Sequence, residues 1–126
     1  MEKDMSNKIK ILYADDEQEL RFLVDNQLTN EGFTVETADD GDTAIAMLDK
    51  NSYDVVLLDI RMPRLSGIEV LKHIKKQRIN SRVIMLTAVD DLSVALEAVK
   101  TGAIDYLTKP YDFETLLKAI TRVAGK

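Results

Sequence analysis

Four points in the chain put an oxygen-bearing or cationic side chain at or just after an apolar run: Asp15-Asp16, Asp59, Thr87 and Lys109. Three carboxylates brought together repel one another and raise each other's pKa. A hard dication relieves that repulsion, and an all-oxygen donor set without Cys or His suits Mg²⁺, with Mn²⁺ as a second possibility. Lys109 adds a positive charge on the other side. An acidic pocket that holds a dication and a lysine is arranged for a phosphoryl group. Thr87 supplies a hydroxyl donor to a phosphoryl oxygen, and Asp59 is a carboxylate able to act as nucleophile and form an acyl phosphate. The protein's part is then positioning and charge neutralisation. One such residue alone would simply lead the chain out into solvent. A full set of carboxylates, hydroxyl and ammonium at successive strand ends is much harder to dismiss.

The elements that must position these groups are legible around them. Val55, Val56, Leu57 and Leu58 form an apolar run with no alternation, the habit of a central parallel strand buried on both faces. Asp59 ends the run at the sheet edge where open α/β sheets bind ligands. Pro63 stops the strand, and Gly67 lets the chain bend into a helix. A second continuous run, Val83, Ile84, Met85 and Leu86, ends at Thr87. Ile9, Ile11 and Leu12 make a short strand that ends at Ala14, just before Asp15-Asp16. Residues 103–107 make a strand leading to Thr108-Lys109-Pro110. Phe33, Val35 and Thr37 alternate with polar residues, as a half-buried edge strand does.

Helical spacing fills the gaps. Leu20, Leu23, Val24, Gln27 and Leu28 share one face, followed by Gly32 as terminator. Asp39-Asp40-Gly41 is a turn with capping chemistry, followed by Ala44, Ile45 and Leu48. Ser66 and Glu69 fit a capping box ahead of the stripe Ile68, Leu71 and Ile74. Asp90 or Asp91 caps a helix carrying Ala95 and Ala98 and closed by Gly102. Asp112 caps the last helix, with Phe113, Leu116, Leu117, Ile120 and Val123 in register. Five strands alternating with five helices imply βαβ units and a parallel sheet covered on both faces. The doubly wound order 2-1-3-4-5 puts both apolar runs at the centre. It also sets the ends at Asp15 and Asp59 side by side at the topological switch point.

Bulk properties narrow the function classes. The 126 residues suit one domain, 45% are hydrophobic, and there is no cysteine. That excludes disulfides and thiolate metal sites and fits a reducing, cytoplasmic setting. No apolar run approaches the roughly 20 residues of a spanning helix. The net charge of -5 makes the chain a poor binder of nucleic acid. Residues 1–7 are polar and charged, unlike a signal peptide, and are expected to be a mobile tail ahead of a domain over 8–126.

The motifs Asp15-Asp16, Asp59-Ile60-Arg61-Met62-Pro63 with Gly67, Thr87-Ala88, and Gly102-Ala103-Ile104-Asp105-Tyr106-Leu107-Thr108-Lys109-Pro110 together are highly specific. Over its length from Lys8 onward the chain resembles the receiver domain of two-component response regulators. The resemblance implies a flavodoxin-like three-layer sandwich and a phosphorylation-controlled signalling switch. Asp59 would accept a phosphoryl group from a sensor histidine kinase or histidine phosphotransfer protein. Asp16, Asp59 and the Arg61 carbonyl would ligate Mg²⁺, with Asp15 holding a metal-bound water. Lys109 would contact the phosphoryl group, and Lys109-Pro110 would be cis. Thr87 and Tyr106 would be the switch pair, changing the surface of helix 4, strand 5 and helix 5 for an effector domain or target protein. Such a domain catalyses only its own phosphorylation and slow dephosphorylation, the latter tuned at Arg61 and Val89. It is expected to be a monomer or weak dimer with no nucleic-acid or membrane contact of its own.

Other readings fit less well. A receiver-like interaction module that never takes phosphate usually lacks part of the set that is complete here. A flavin carrier of similar topology needs a Ser/Thr/Gly-rich phosphate loop where Asp15-Asp16-Glu17 stands. A Mg²⁺-dependent phosphatase with an Asp-x-Asp nucleophile lacks its second carboxylate in Asp59-Ile60-Arg61. His73, off its helix stripe, reads as a solvated position. Lys72, Lys75, Lys76 and Arg78 read as a solvated face, and Met62 and Met85 as packing.

Overall fold

Val55–Asp59 forms β3, and all five of its residues are buried, the terminal carboxylate included. The computed structural model describes residues 8–125; the expected tail at residues 1–7 lies outside them. Around β3 the chain runs β1 (Lys10–Ala14), α1 (Gln18–Asn30), β2 (Thr34–Ala38), α2 (Gly41–Lys50), β3, α3 (Gly67–Lys76), β4 (Arg82–Ala88), α4 (Leu92–Thr101), β5 (Asp105–Lys109) and α5 (Phe113–Ala124). A short 3-10 turn, Val89–Asp91, precedes α4. The sheet has five strands in the order β2-β1-β3-β4-β5, and every neighbouring pair is parallel.

The two-residue period of the strands sorts the core into two layers. Leu12, Ala14, Val56, Leu58, Val83 and Met85 face α2, α3 and α4, where they meet Ala44, Leu48, Val70, Leu71, Ile74, Ala95 and Ala98. Ile11, Tyr13, Val55, Leu57, Ile84 and Leu86 face α1 and α5, against Val24, Leu28, Leu116, Ala119, Ile120 and Val123. β1, β3 and β4 are thus covered on both faces, which is why their sequences show continuous runs. Each large aliphatic side chain so buried contributes about 1.5–3 kcal/mol.

The helix starts follow from their caps. Asp40 accepts from the Thr43 N–H at 2.8 Å and Asp112 from the Thr115 N–H at 2.8 Å. Ser66 and Glu69 close a reciprocal capping box. Gly67 is needed for a different reason. A Cβ there would stand 2.3 Å from the Asp59 carbonyl oxygen, so only glycine lets α3 start against the end of β3.

Three expectations are corrected. Leu23 lies outside the buried stripe and is exposed; Val24 and Leu28 carry that face of α1. Strand five starts at Asp105 rather than at residue 103. Gly102, at φ +137, turns the chain, and the Ala103 N–H is still spent on the Ala98 carbonyl of α4. Asp91 holds the N-cap position of α4 but makes no capping bond, because Arg61 takes its carboxylate. His73 is off the stripe as expected, but its Nε2 pairs with Asp49 at 2.8 Å across the α2–α3 contact.

Candidate functional site

The carboxyl ends of β1, β3 and β5 meet in one crevice. Asp15 follows β1 directly and is completely buried. Tyr13, two residues earlier and on the same face, donates its hydroxyl to Asp15 Oδ2 at 2.9 Å. The Glu17 N–H donates to Asp15 Oδ1 at 2.9 Å, and Arg21 Nη1 donates to the Asp15 carbonyl at 2.7 Å. These bonds fasten the first turn of α1 to the loop. Asp16 is exposed at the rim. Asp15, Asp16 and Asp59 each offer an oxygen, all within 4.8 Å of one another.

Lys109, the last residue of β5, reaches into this group. Its Nζ lies 3.0 Å from Asp15 Oδ2, 3.1 Å from Asp59 Oδ2 and 3.4 Å from Glu17 Oε1. Burial alone would make the ammonium easier to lose, but Asp15 and Asp59 outweigh it and raise its pKa, so Lys109 stays charged. Burial, reinforced by the Asp15 charge, pushes the Asp59 carboxyl up to about 6 despite Lys109 and the Arg61 N–H, which donates to Asp59 Oδ1 at 3.3 Å. One ammonium therefore leaves the carboxylates under-neutralised. That unrelieved charge, the all-oxygen donor set and the open rim at Asp16 fit a hard dication such as Mg²⁺.

The other expected site residues are placed as follows. Arg61 is in the loop after β3, and its guanidinium turns away to grip Asp91 at 2.5 and 2.6 Å. Thr87, next to last in β4, is fully buried, and its hydroxyl donates to the Ala88 carbonyl at 3.1 Å. Tyr106 on β5 stands opposite Met85, half-buried against the α2–α4 side of the core. Lys109-Pro110 is cis. Lys72, Lys75, Lys76 and Arg78 are exposed and Met85 is core.

Tyr13, Glu17, Tyr111 and Asp91 belong to the neighbourhood and were not legible as such. Tyr13 had a signal: in a two-residue period it shares a face with Asp15. Tyr111 had none. Its hydroxyl is buried and has no hydrogen-bond partner among the described residues, though it lies close enough to Tyr13 for the two to perturb each other.

The family model described as the response regulator receiver domain matches residues 11–121. The transcriptional regulatory protein TcrA of Mycobacterium tuberculosis is 38% identical over 117 residues, covering 90% of this chain and 46% of its own. The alkaline phosphatase synthesis transcriptional regulatory protein PhoP of Bacillus subtilis is 36% identical over 116 residues, covering 90% and 48%. The chain thus spans about half the length of these curated relatives, or less. The receiver domain of Francisella response regulator 1452 superposes with a TM-score of 0.88 at 35% identity, covering 94% of this chain and 98% of that one. A response regulator receiver domain protein from Clostridium thermocellum gives 0.88 at 37% identity, covering 93% and 94%.

Proposed function

The chain belongs to the response regulator receiver domain family, and from that premise we propose that Asp59 is its phosphoacceptor in a two-component signalling switch. The observation that carries the reading is Lys109, whose single ammonium bridges Asp15 and Asp59 at 3.0 and 3.1 Å. The strand ends have converged on a charged crevice suited to a phosphoryl group.

An oxygen of the Asp59 carboxylate attacks the phosphorus of a phosphohistidine on a sensor kinase or phosphotransfer protein. The P–N bond breaks as the P–O bond forms, and the histidine leaves with its electron pair. β3 holds the nucleophile, and the Arg61 N–H on Oδ1 orients it. Lys109 turns from the carboxylates to a phosphoryl oxygen. Thr87 gives up the Ala88 carbonyl and donates to another. Asp16, Asp59 and the Arg61 carbonyl would hold Mg²⁺, with Asp15 reaching it through water; when bound, the ion neutralises the charge gathering on the phosphoryl oxygens.

The product brings about -1.5 to -2 charge and three strong acceptors into the crevice. Moving Thr87 vacates space beside β5, and Tyr106 shifts between an inward and an outward position. The phosphoryl group biases that equilibrium, and an effector domain or target protein reads the surface of α4, β5 and α5. The relatives' names, as transcriptional regulatory proteins, support such an output. Beyond its own phosphorylation and slow dephosphorylation the domain would catalyse nothing, and Arg61 and Val89 at the rim would set the second rate.

The test is intact mass after incubation with acetyl phosphate and Mg²⁺. The parent gains one phosphoryl group and Asp59→Ala gains none. An equal gain in Asp59→Ala overturns the assignment.

A further inference from the structure

Asp15 has three donors among the described residues: the Tyr13 hydroxyl at 2.9 Å, the Glu17 N–H at 2.9 Å and Lys109 Nζ at 3.0 Å. Two of them, Tyr13 and Lys109, share Oδ2. Lys109 has three N–H bonds, and the carboxylates of Asp15, Glu17 and Asp59 all lie within reach of them. The ammonium cannot meet a phosphoryl oxygen without giving up at least one carboxylate.

Asp59 is being converted to an acyl phosphate at that moment, and Glu17 is exposed and rehydrates. Asp15 is the costly one to leave. It is fully buried, and an oxygen stripped of its last donor in such a place pays the whole desolvation penalty. The Tyr13 hydroxyl prevents that. Its ring is fully buried in the α1–α5 side of the core. The strand fixes it opposite Leu57 of β3 and Thr37 of β2, so it cannot follow Lys109.

We propose that Tyr13 is a positioning residue whose hydroxyl keeps Asp15 partnered when Lys109 leaves it, so that Lys109 is available to the phosphoryl group. A phenylalanine would fill the same core position. Among the described residues the hydroxyl donates its proton to this carboxylate alone. The inference rests on Asp59 being the phosphoacceptor.

Tyr13→Phe separates a positioning contribution from a packing one. Bind Mg²⁺ alone, followed by amide shifts, and then beryllofluoride at saturating Mg²⁺. Without the hydroxyl, Asp15 is less neutralised and grips Lys109 harder. Mg²⁺ should bind as tightly as in the parent or tighter, while beryllofluoride weakens by about tenfold, the scale set by one hydrogen bond to a charged group. Tyr111→Phe removes the neighbouring buried hydroxyl without touching Asp15 and should match the parent in both titrations. Parallel weakening of both ligands in Tyr13→Phe, no change in either, or the same split in Tyr111→Phe overturns the proposal. Failure of the parent itself to bind beryllofluoride would instead remove the phosphoacceptor reading, and this inference with it.

Discussion

β3 and α4 are held in opposite ways. β3 buries all five of its residues, and its terminal carboxylate is fixed by Lys109 and a backbone N–H. α4 has ten residues and buries only Ala95 and Ala98. It leaves Leu92, Leu96 and Val99 at 41%, 50% and 40% exposure, so the only fully buried side chains it brings to the core are two methyl groups. Its N-cap residue, Asp91, makes no capping bond and is tied instead to Arg61 in the loop after β3. Chemistry needs atoms that do not move, and a response needs a segment that moves for little free energy. Segments with few buried apolar contacts open first. The chain separates the two tasks by how deeply each element is buried.

The sharpest way to break this comparison is to truncate one leucine on each side. Leu58→Ala in β3 should cost about 2–5 kcal/mol of stability in urea unfolding. Leu96→Ala on α4 should stay within about 0.5 kcal/mol of the parent. Similar losses at both positions would mean that α4 is as firmly docked as β3.

The fixed side also carries a pH signature. The Asp59 carboxyl, lifted from 3.8 to about 6, resists ionisation in the folded state. Stability from this group is therefore full below pH about 4 and is lost as pH rises through about 6. In metal-free buffer Asp59→Asn should be more stable than the parent at pH 7.5, by about 1–2 kcal/mol once solvent screening is allowed for. The gain should vanish near pH 4. Urea midpoints across that range check it, and a gain that persists at pH 4 would assign the effect to something other than ionisation.

The smallest expected effect is at the tie between the two sides. Arg61→Ala releases Asp91 and should speed amide exchange in residues 89–96 while leaving β3 unchanged. Equal acceleration in β3 would mean that Arg61 supports the crevice rather than α4.

Much of the fold was legible because β3 and β4 are buried on both faces and so appear as unbroken apolar runs. The strand order 2-1-3-4-5 met those runs and the alternation in Phe33, Val35 and Thr37, and the resemblance to receiver domains implied it. Boundaries were less legible where tertiary contacts decide them. The start of β5 moved to Asp105 because Gly102 turns the chain and the Ala103 N–H is still spent on the Ala98 carbonyl of α4. Leu23 fits the helical period of α1 as well as Val24 does, but only one of them faces the sheet. Asp91 reads as a cap from its neighbours alone, and its true partner is 30 residues away. In the crevice Asp15, Asp16, Asp59 and Lys109 were legible from type and strand-end position, while Glu17 was not. Tyr13 was less legible, since a tyrosine in an apolar run looks like core until its hydroxyl finds a carboxylate, and nothing in the sequence around Tyr111 marks its buried hydroxyl.

Amide hydrogen exchange with and without beryllofluoride, at saturating Mg²⁺, tests most directly whether chemistry at the rigid strand is read out on the loosely held helix. Protection should change across residues 89–109, covering the 3-10 turn, α4 and β5, while the amides of β1 and β3 keep their rates. Unchanged exchange in α4 and β5 despite bound beryllofluoride would contradict the account, as would a change confined to β1 and β3.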